Sequence, residues 1–132
     1  MNTFKATVNL TADPELKFGN SSGNPYVSLR VAESRGEGKE SNFYDVKVFD
    51  KQAENIADSL KKGDRVVIDG YFDSARTYQT QAGETRIALD VIANDVYPSL
   101  RFATVAVTRN DRGVPAAPGA APQQYEEEEL PF

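Results

Sequence analysis

The sequence changes its hydrophobic period between two kinds of segment, and this change most restricts the possible fold. In 3–10 and again in 43–49, one side of the segment is apolar at every second residue, which is typical of β-strands with one buried face. Between these strands and the later ones, four apolar residues instead share a single helical stripe: Ala53, Ile56, Ala57 and Leu60. The pattern therefore predicts short strands interrupted by one helix.

The predicted elements form one all-β domain. We expect strands at 3–10, 25–33, 43–49, 65–74 and 85–92, a short extended piece at 16–18, a helix of about three turns around 53–60, and a shorter additional strand at 101–108.

Glycine and proline residues punctuate these elements. Lys61-Lys62-Gly63 is expected to close the helix, with basic residues in its last turn and a glycine stop. Gly70 predicts a bulge or sharp bend within its strand, and Pro98 ends the strand that begins at 85. The polar segment 76–83 is expected to be a hairpin loop that holds Tyr78.

The order of these elements points to a small barrel. Five strands with one helix between the third and the fourth is the plan of the OB-fold, a partly open Greek-key barrel. A plain β-sandwich is the competing interpretation of the same pattern.

The composition changes at residue 110. Segment 110–124 is rich in Pro, Gly and Ala and has Val114 as its only bulky apolar residue, so we expect a flexible linker. It leads to an acidic end, 125–132. We therefore divide the chain into a domain at 1–109, a linker at 110–124 and a C-terminal tip at 125–132.

Charge is unevenly distributed between these parts. Residues 1–109 carry 14 Lys and Arg against 15 Asp and Glu, and most of the net charge of −5 comes from the tail. A nucleic-acid-binding surface is expected to be basic. On this nearly neutral domain it would require local clustering of cations, with the acidic residues placed elsewhere.

Several function classes are disfavoured by what the sequence lacks. It has no His and no Cys, so the usual general base, the thiol nucleophile and thiolate metal ligands are all missing. We expect no enzyme activity, no metal and no cofactor. We find no signal peptide and no apolar run long enough to span a membrane, and we expect a cytoplasmic protein.

Aromatic residues interleaved with bases are the first candidate binding feature. Phe43 and Phe49 share one strand face over about 20 Å, with Lys47 between them. Flat rings beside cations suit an extended single strand, because any base stacks on a ring and cations neutralise phosphates. Tyr78 lies between Arg76 and Arg86 in the sequence, and Arg30 lies on the polar face of the second strand, so these residues fit the same pattern by position. The alternative is that the rings belong to a core or a subunit interface, and Tyr71 fits either role.

The C-terminus is the second candidate binding feature. Four glutamates precede an apolar end that carries the terminal carboxylate, which suits a partner with an apolar pocket rimmed by Arg or Lys. A solubilising acidic tail is the alternative, although it would not need the last three residues. The residues concerned are Glu126, Glu127, Glu128, Glu129, Leu130, Pro131 and Phe132.

Taken in order, several stretches of the chain resemble bacterial single-stranded DNA-binding proteins, most closely those of actinobacteria and their phages. The resemblance covers nearly all of 3–108 together with the tip. It is carried by Asn9-Leu-Thr-Ala-Asp-Pro-Glu-Leu16, 27–34, Ala53-Glu-Asn-Ile-Ala-Asp-Ser-Leu-Lys-Lys-Gly63, Ala82-Gly-Glu-Thr-Arg86, Pro98-Ser-Leu-Arg-Phe-Ala-Thr104 and Pro131-Phe132.

This resemblance implies roles for particular residues. It implies an OB barrel that assembles as a homotetramer, with stacking rings at Phe43, Phe49 and Tyr78. The segment 101–107 resembles a strand that clamps subunits, and Leu130-Pro131-Phe132 resembles the segment that docks replication and repair proteins. Residues at or beside backbone-contacting positions are Arg30, Lys51, Lys61, Lys62, Arg76 and Arg86.

We therefore expect sequence-independent binding and protection of single-stranded DNA in replication, recombination and repair, in a bacterium or in a host cell if a phage encodes the chain. The first alternative is an OB-fold interaction module of a replisome or primosome with weak or no DNA binding. The second is an RNA-binding OB protein of the cold-shock or translation type.

Overall fold

The computed structural model describes residues 1–110. Six strands and one helix follow one another along this part of the chain. They are β1 (Phe4–Leu10), β2 (Leu16–Phe18), β3 (Pro25–Glu33), β4 (Asn42–Phe49), α1 (Asp50–Ser59), β5 (Arg65–Gln79) and β6 (Thr85–Pro98).

The strands form one sheet that closes on itself. Its order is β1-β5-β6-β4-β3-β2, and β1 also pairs with β3 through Asn9 with Ala32 and Leu10 with Val31. Only β4 and β6 run parallel among the pairs of described strands, and the other pairs are antiparallel. Five of the six strands close into the barrel in the order β1-β5-β6-β4-β3, and β2 adds to β3. A five-stranded barrel with a helix between β4 and β5 is the OB-fold, so the predicted barrel is confirmed and the plain β-sandwich is not.

The barrel interior is filled by the apolar residues that alternate along the strands. Val46 and Val48 of β4 are fully buried, and their partners across the ladder, Leu29 and Val27 of β3, are buried as well. The stripe of α1 closes one end of this core with three buried side chains: Ala53, Ile56 and Leu60. The period of two buries one face of β1, β3, β4 and the first half of β5, as the sequence predicts.

Past Gly70, β5 and β6 continue as a two-stranded arm, which we define as Tyr71–Gln79 of β5 and its partner residues 85–92 of β6. At the base of the arm, residues 90–92 of β6 also pair with β4. The register shifts at Asp69/Gly70 and again at Phe72/Ser74, which confirms the bulge predicted at Gly70. A Cβ atom at Gly70 would collide with the carbonyl oxygen of Ile92, so glycine allows the close backbone approach at the base of the arm.

Two predicted boundaries are wrong at the ends of β5 and α1. Tyr78 does not lie in a loop but in β5, opposite Arg86, and the hairpin turn is confined to residues 80–84. The helix ends at Ser59, so Lys61 and Lys62 follow it rather than occupy its last turn. Leu60 leaves the helix in an extended conformation, and Gly63, at φ 90°, belongs to the next turn.

The strand predicted at 101–108 is also absent from the described residues. Segment 101–110 is exposed and has no strand pairing, although its apolar residues alternate. A strand needs an edge to pair with, and these residues take none within their own barrel. Asn110 instead accepts a hydrogen bond from the amide of Asn55 on α1, at 2.7 Å.

The junction between β4 and α1 is unusually tight. Phe49 is extended and Asp50 has a φ of 65°, a left-handed conformation that is uncommon for a residue with a side chain. Gln52 then ties the helix to β6, because its amide donates to the Asn94 carbonyl and accepts from the Val96 N–H. These contacts fix the end of β4 where Phe49 is exposed.

No helix among residues 1–110 has the length and apolar character needed to cross a membrane.

Candidate functional site

The exposed face of β4 continues across β3 and onto the arm. Phe43 and Phe49 are 43% and 44% exposed, and Tyr78 on the arm is 36% exposed. Across the β3–β4 ladder, Arg30 pairs with Asp45 and Tyr26 pairs with Phe49. Directly opposite residues point to the same side of a sheet, so the side chains of these two pairs share a face. We call this surface the aromatic face; its residues are Tyr26, Arg30, Phe43, Asp45, Lys47, Phe49, Arg76 and Tyr78.

At one end of the aromatic face, Arg30 lies beside two of the predicted stacking rings, Phe43 and Tyr78. The guanidinium carbon of Arg30 lies 5.2 Å from the centre of the Phe43 ring, within cation–π range. Partial burial lowers the pKa of Arg30, but hydrogen bonding and attraction from Asp45, with contributions from Tyr78, outweigh it and raise the pKa overall. The structure thus brings Phe43, Arg30 and Tyr78 together.

The other end holds a ring that the sequence-based prediction missed. The rings of Tyr26 and Phe49 are 6.4 Å apart at an angle of 38°, and the Lys47 ammonium lies 5.7 Å from the centre of the Tyr26 ring. Among the described residues, Lys47 has no ion-pair partner. The signal was available, because Tyr26 alternates with Ser28 and Arg30 on the polar side of its strand.

The centre of the aromatic face is occupied by carboxylates, so the expectation that acidic residues lie elsewhere is wrong. Asp45 accepts from Arg30 at 3.0 Å through Oδ1 and from Arg76 at 3.3 Å through Oδ2. Asp90 accepts from Nε of Arg76 at 3.1 Å and from Nη2 at 3.4 Å. The two carboxylates meet because β4 and β6 are parallel neighbours in which Asp45 pairs with Asp90.

A groove of about 310 Å³ follows these charged residues. It runs along the centre of the aromatic face, from β3 across β4 and β6 to the base of the arm. Its lining residues are Ser28, Asp45, Lys47, Asp73, Arg76, Asp90, Val91 and Ile92. The groove therefore combines cations and carboxylates in nearly equal number.

The remaining predicted cations are divided between the arm, which holds Arg86 opposite Tyr78, and the two ends of α1. Lys51, in the first turn of α1, pairs with Glu54 at 3.1 Å. Arg86 pairs with Glu84 at 2.8 Å, and this hydrogen bond is the main cause of its raised pKa. Lys61 and Lys62 lie in the turn after α1, which bonds to the end of β1 through Leu10. In the described part of the chain, no contact joins either lysine to the aromatic face.

Beneath Phe43, Tyr44 anchors the start of β4 from the inner side. Its ring packs edge-on against Phe4, with centres 4.9 Å apart, and its hydroxyl donates to Glu33 at 2.7 Å. Burial and this hydrogen bond to a carboxylate raise the pKa of Tyr44 to about 12. Tyr44 thereby joins the ends of β3 and β4 where Phe43 emerges.

No group of three or more Asp or Glu residues within 1–110 is arranged to hold a metal ion. The predicted partner-binding residues, Glu126 to Glu129 and Leu130, Pro131 and Phe132, lie outside the described residues.

The fold and the aromatic face define the class of protein. In OB-fold domains, the face of the second and third barrel strands and the loop between the fourth and fifth bind oligonucleotides or oligosaccharides. In this chain those elements are β3, β4 and the tip of the arm, where the exposed rings and cations lie. The chain is thus an OB-fold domain with exposed aromatic rings at the position that the class uses for extended ligands.

Comparison with known proteins specifies the family: the chain belongs to the single-strand binding protein family, which matches residues 1–99. It is 40% identical over 114 residues to the single-stranded DNA-binding protein of Corynebacterium glutamicum, covering 80% of this chain and 50% of that protein. It is 39% identical over 113 residues to the protein of the same name from Mycobacterium leprae, covering 79% and 66% respectively.

A similar protein from Mycobacterium tuberculosis, also named single-stranded DNA-binding protein, is 36% identical over 123 residues and is matched over 74% of its length. The chain thus spans between half and three quarters of these relatives. The family resemblance predicted from the sequence is confirmed.

Proposed function

We propose that this chain binds single-stranded DNA without sequence preference and shields it during replication, recombination and repair. The observation that carries the proposal is the exposure of Phe43, Phe49 and Tyr78 on one face, each ring within reach of a cation or a second ring. An apolar ring that served the core would be buried, and these rings are not.

The chemistry of the face fits an extended strand of any sequence. Every base has a flat π-face, so stacking on Phe43, Phe49 or Tyr78 does not distinguish bases and contributes about 1–3 kcal/mol for each stacked base. Arg30, Lys47 and the arm cations supply positive charge for the phosphates. A single strand crossing β3 and β4 towards the arm would meet both ends of the aromatic face.

A titration of oligo-dT against intrinsic fluorescence tests this assignment. Replacing Phe43, Phe49 or Tyr78 by Ala should each weaken binding by about 1–3 kcal/mol. Phe18→Ala removes an exposed ring outside the aromatic face and serves as the control, with light scattering to verify unchanged assembly. Unchanged affinity in the triple Phe43, Phe49 and Tyr78 variant would exclude the aromatic face as the binding site.

The salt dependence of the same titration tests the contribution of the cations. For single strands, the slope of log K against log salt concentration should be about −0.7 for each phosphate neutralised. A slope of zero would mean that the cations do not contact the backbone.

We also propose that the chain assembles as a homotetramer in the cytoplasm of a bacterium, or of a phage-infected host. Segment 100–110 supports assembly, because Leu100, Phe102 and Val107 are exposed apolar side chains that a second subunit would cover. Light scattering on the purified protein, with and without oligo-dT, measures the subunit count; a monomer at micromolar concentration would contradict the assembly.

The C-terminal tip is proposed to recruit replication and repair proteins. Its support is the sequence alone: four glutamates followed by Leu130, Pro131 and Phe132. Deleting 130–132 should leave the affinity for oligo-dT unchanged and abolish capture of such proteins by the immobilised chain. Capture that persists after the deletion would assign the tail a solubilising role.

A protein-interaction module with weak DNA binding is the second candidate. It is favoured by the ion pairs of Asp45 and Asp90, which neutralise two of the arginines on the aromatic face. A gel shift with a labelled oligonucleotide separates the two functions, and competition between oligo-dT and oligo-U distinguishes DNA from RNA as the ligand.

A further inference from the structure

Asp45 holds the central position among the charges of the aromatic face. Its two carboxylate oxygens accept from two different arginines, Arg30 of β3 and Arg76 of the arm. A phosphate has the same capacity, because it is an anion with several oxygens that accept from guanidinium groups. The free protein therefore already satisfies, with its own carboxylate, the donors that a strand backbone would need.

Asp90 extends the same arrangement along the groove. It accepts from two nitrogens of Arg76 and from the Ser74 hydroxyl at 3.3 Å. Arg30 and Arg76 thus face two carboxylates, and this cluster has no net charge. Lys47, without an ion-pair partner among the described residues, is the cation of the groove that remains available.

We propose that Asp45 and Asp90 act as internal competitors of DNA phosphates, so that strand binding exchanges carboxylate for phosphate on Arg30 and Arg76. This inference rests on the proposed function, because it concerns the same face and the same ligand. It assigns to the two aspartates the role of weakening and regulating backbone contact, while the rings supply the stacking.

The exposure of the partners makes the exchange feasible. The side chains of Arg30 and Arg76 are 39% and 57% exposed, and that of Asp45 is 21% exposed. Ion pairs in such positions are weak because water screens them, so a phosphate can displace them at little cost. Buried pairs would be locked, and the arginines would then be structural only.

The test is the affinity of the full chain for oligo-dT after each aspartate is made neutral at nearly constant shape. Asp45→Asn and Asp90→Asn should each bind about twofold to fivefold tighter at low salt, the range expected for one exposed charge pair. The log-log salt slope should become steeper by about 0.7 if one more phosphate is neutralised. Asp58→Asn, on the exposed side of α1, removes the same charge outside the groove and should change neither value.

A second comparison separates exchange from a general charge effect. The gain from Asp45→Asn should disappear in an Arg30→Ala and Arg76→Ala background, because no guanidinium remains to be released. A gain that persists there would overturn the exchange.

Equal or weaker binding by both Asn variants would also overturn it, and would make the aspartates positioning residues for the arginines. Thermal unfolding identifies a variant that fails to fold, in which case the other Asn variant decides. If wild-type protein itself does not bind oligo-dT, the proposed function fails, which is a separate outcome.

Discussion

The two halves of β5 differ in almost every physical respect. From Arg65 to Gly70 its residues alternate between buried and more exposed positions, and the strand pairs with β1 on one side and β6 on the other. From Tyr71 to Gln79 every residue is exposed, and among the strands within 1–110 only β6 pairs with this half. The pairing with β1 ends where Phe4 meets Gly70, at the first bulge.

The difference indicates a division of labour within one strand. The barrel half buries apolar side chains and so carries stability. The arm half carries Arg76 and Tyr78 and is held by its backbone ladder and by exposed polar contacts, such as those of Arg76 with Asp45 and Asp90. Regions with few buried contacts open at low free energy. Substitutions in the barrel half should therefore change folding, and those in the arm should change binding.

The largest effect is expected for Ile68→Ala in the barrel half. Ile68 is fully buried, and shortening its side chain leaves a cavity, so the free energy of unfolding should fall by about 4 kcal/mol. The arm control is Ile87→Ala, whose side chain is 64% exposed and which should stay within about 0.5 kcal/mol of wild type. Urea unfolding followed by circular dichroism, at one fixed protein concentration, measures both. Equal losses would mean that the arm is as tightly packed as the barrel.

Gly70→Ala probes the boundary between the two halves. The added methyl group would collide with the Ile92 carbonyl oxygen, so the backbone must shift, at a cost of about 3 kcal/mol. Gly83 in the hairpin turn of the arm has a φ of 85° and open space around its Cα. Gly83→Ala should therefore cost only about 1 kcal/mol, from the strained backbone alone. The measurement compares the urea concentrations at which the two variants are half unfolded. A higher midpoint for Gly70→Ala than for Gly83→Ala would contradict the close backbone approach at Gly70.

The barrel half was predictable from the sequence, and the arm was not. The alternation in β4 and the stripe of α1 place Val46, Val48 and Ile56 in the core, because burial imposes a period on the sequence. Residues 76–79 are exposed on both sides, so no apolar period marks them as a strand. A polar stretch before a glycine therefore indicates a loop, although β5 continues to Gln79.

The candidate site was likewise predictable only in part. The exposure of Phe43, Phe49 and Lys47 follows from the alternation within their own strand. The pairs formed by Asp45 and Asp90 depend on the register between strands that are far apart in the chain, and a local pattern carries no information about it. Nor does the sequence show that segment 101–108 lacks an edge to pair with inside its own barrel.

Tyr78→Ala tests the arm for binding without loss of stability. Its ring is exposed, so the free energy of unfolding should change by less than about 0.5 kcal/mol. The free energy of oligo-dT binding, in contrast, should become less favourable by about 1–3 kcal/mol. Tyr71→Ala is a matched control, since Tyr71 is a similarly exposed tyrosine at the base of the arm. It should weaken binding less than Tyr78→Ala. If both variants unfold at much lower urea, the arm contributes to the folding unit and the division of labour is wrong.

The smallest expected effect is on the pH dependence of the free energy of unfolding, and it concerns Tyr44 on the inner side of β4, opposite the aromatic face. The pKa of Tyr44 is about 12 in the folded chain and 10.0 ordinarily, since burial and Glu33 favour the neutral hydroxyl. The unfolded chain therefore loses this proton first as pH rises. The contribution of Tyr44 to stability is complete below pH 10 and is lost as pH rises to about 12. Because Tyr44 is partly exposed, screening should keep the loss below about 1 kcal/mol.

Tyr44→Phe removes the titrating group and should make the free energy of unfolding less dependent on pH between 10 and 12 than in wild type. Every other residue is the same in the two proteins, so the difference between their urea curves isolates Tyr44. Identical curves for wild type and Tyr44→Phe would mean that the contact with Glu33 does not hold β3 to β4, and that Phe43 is positioned by the strand ladder alone.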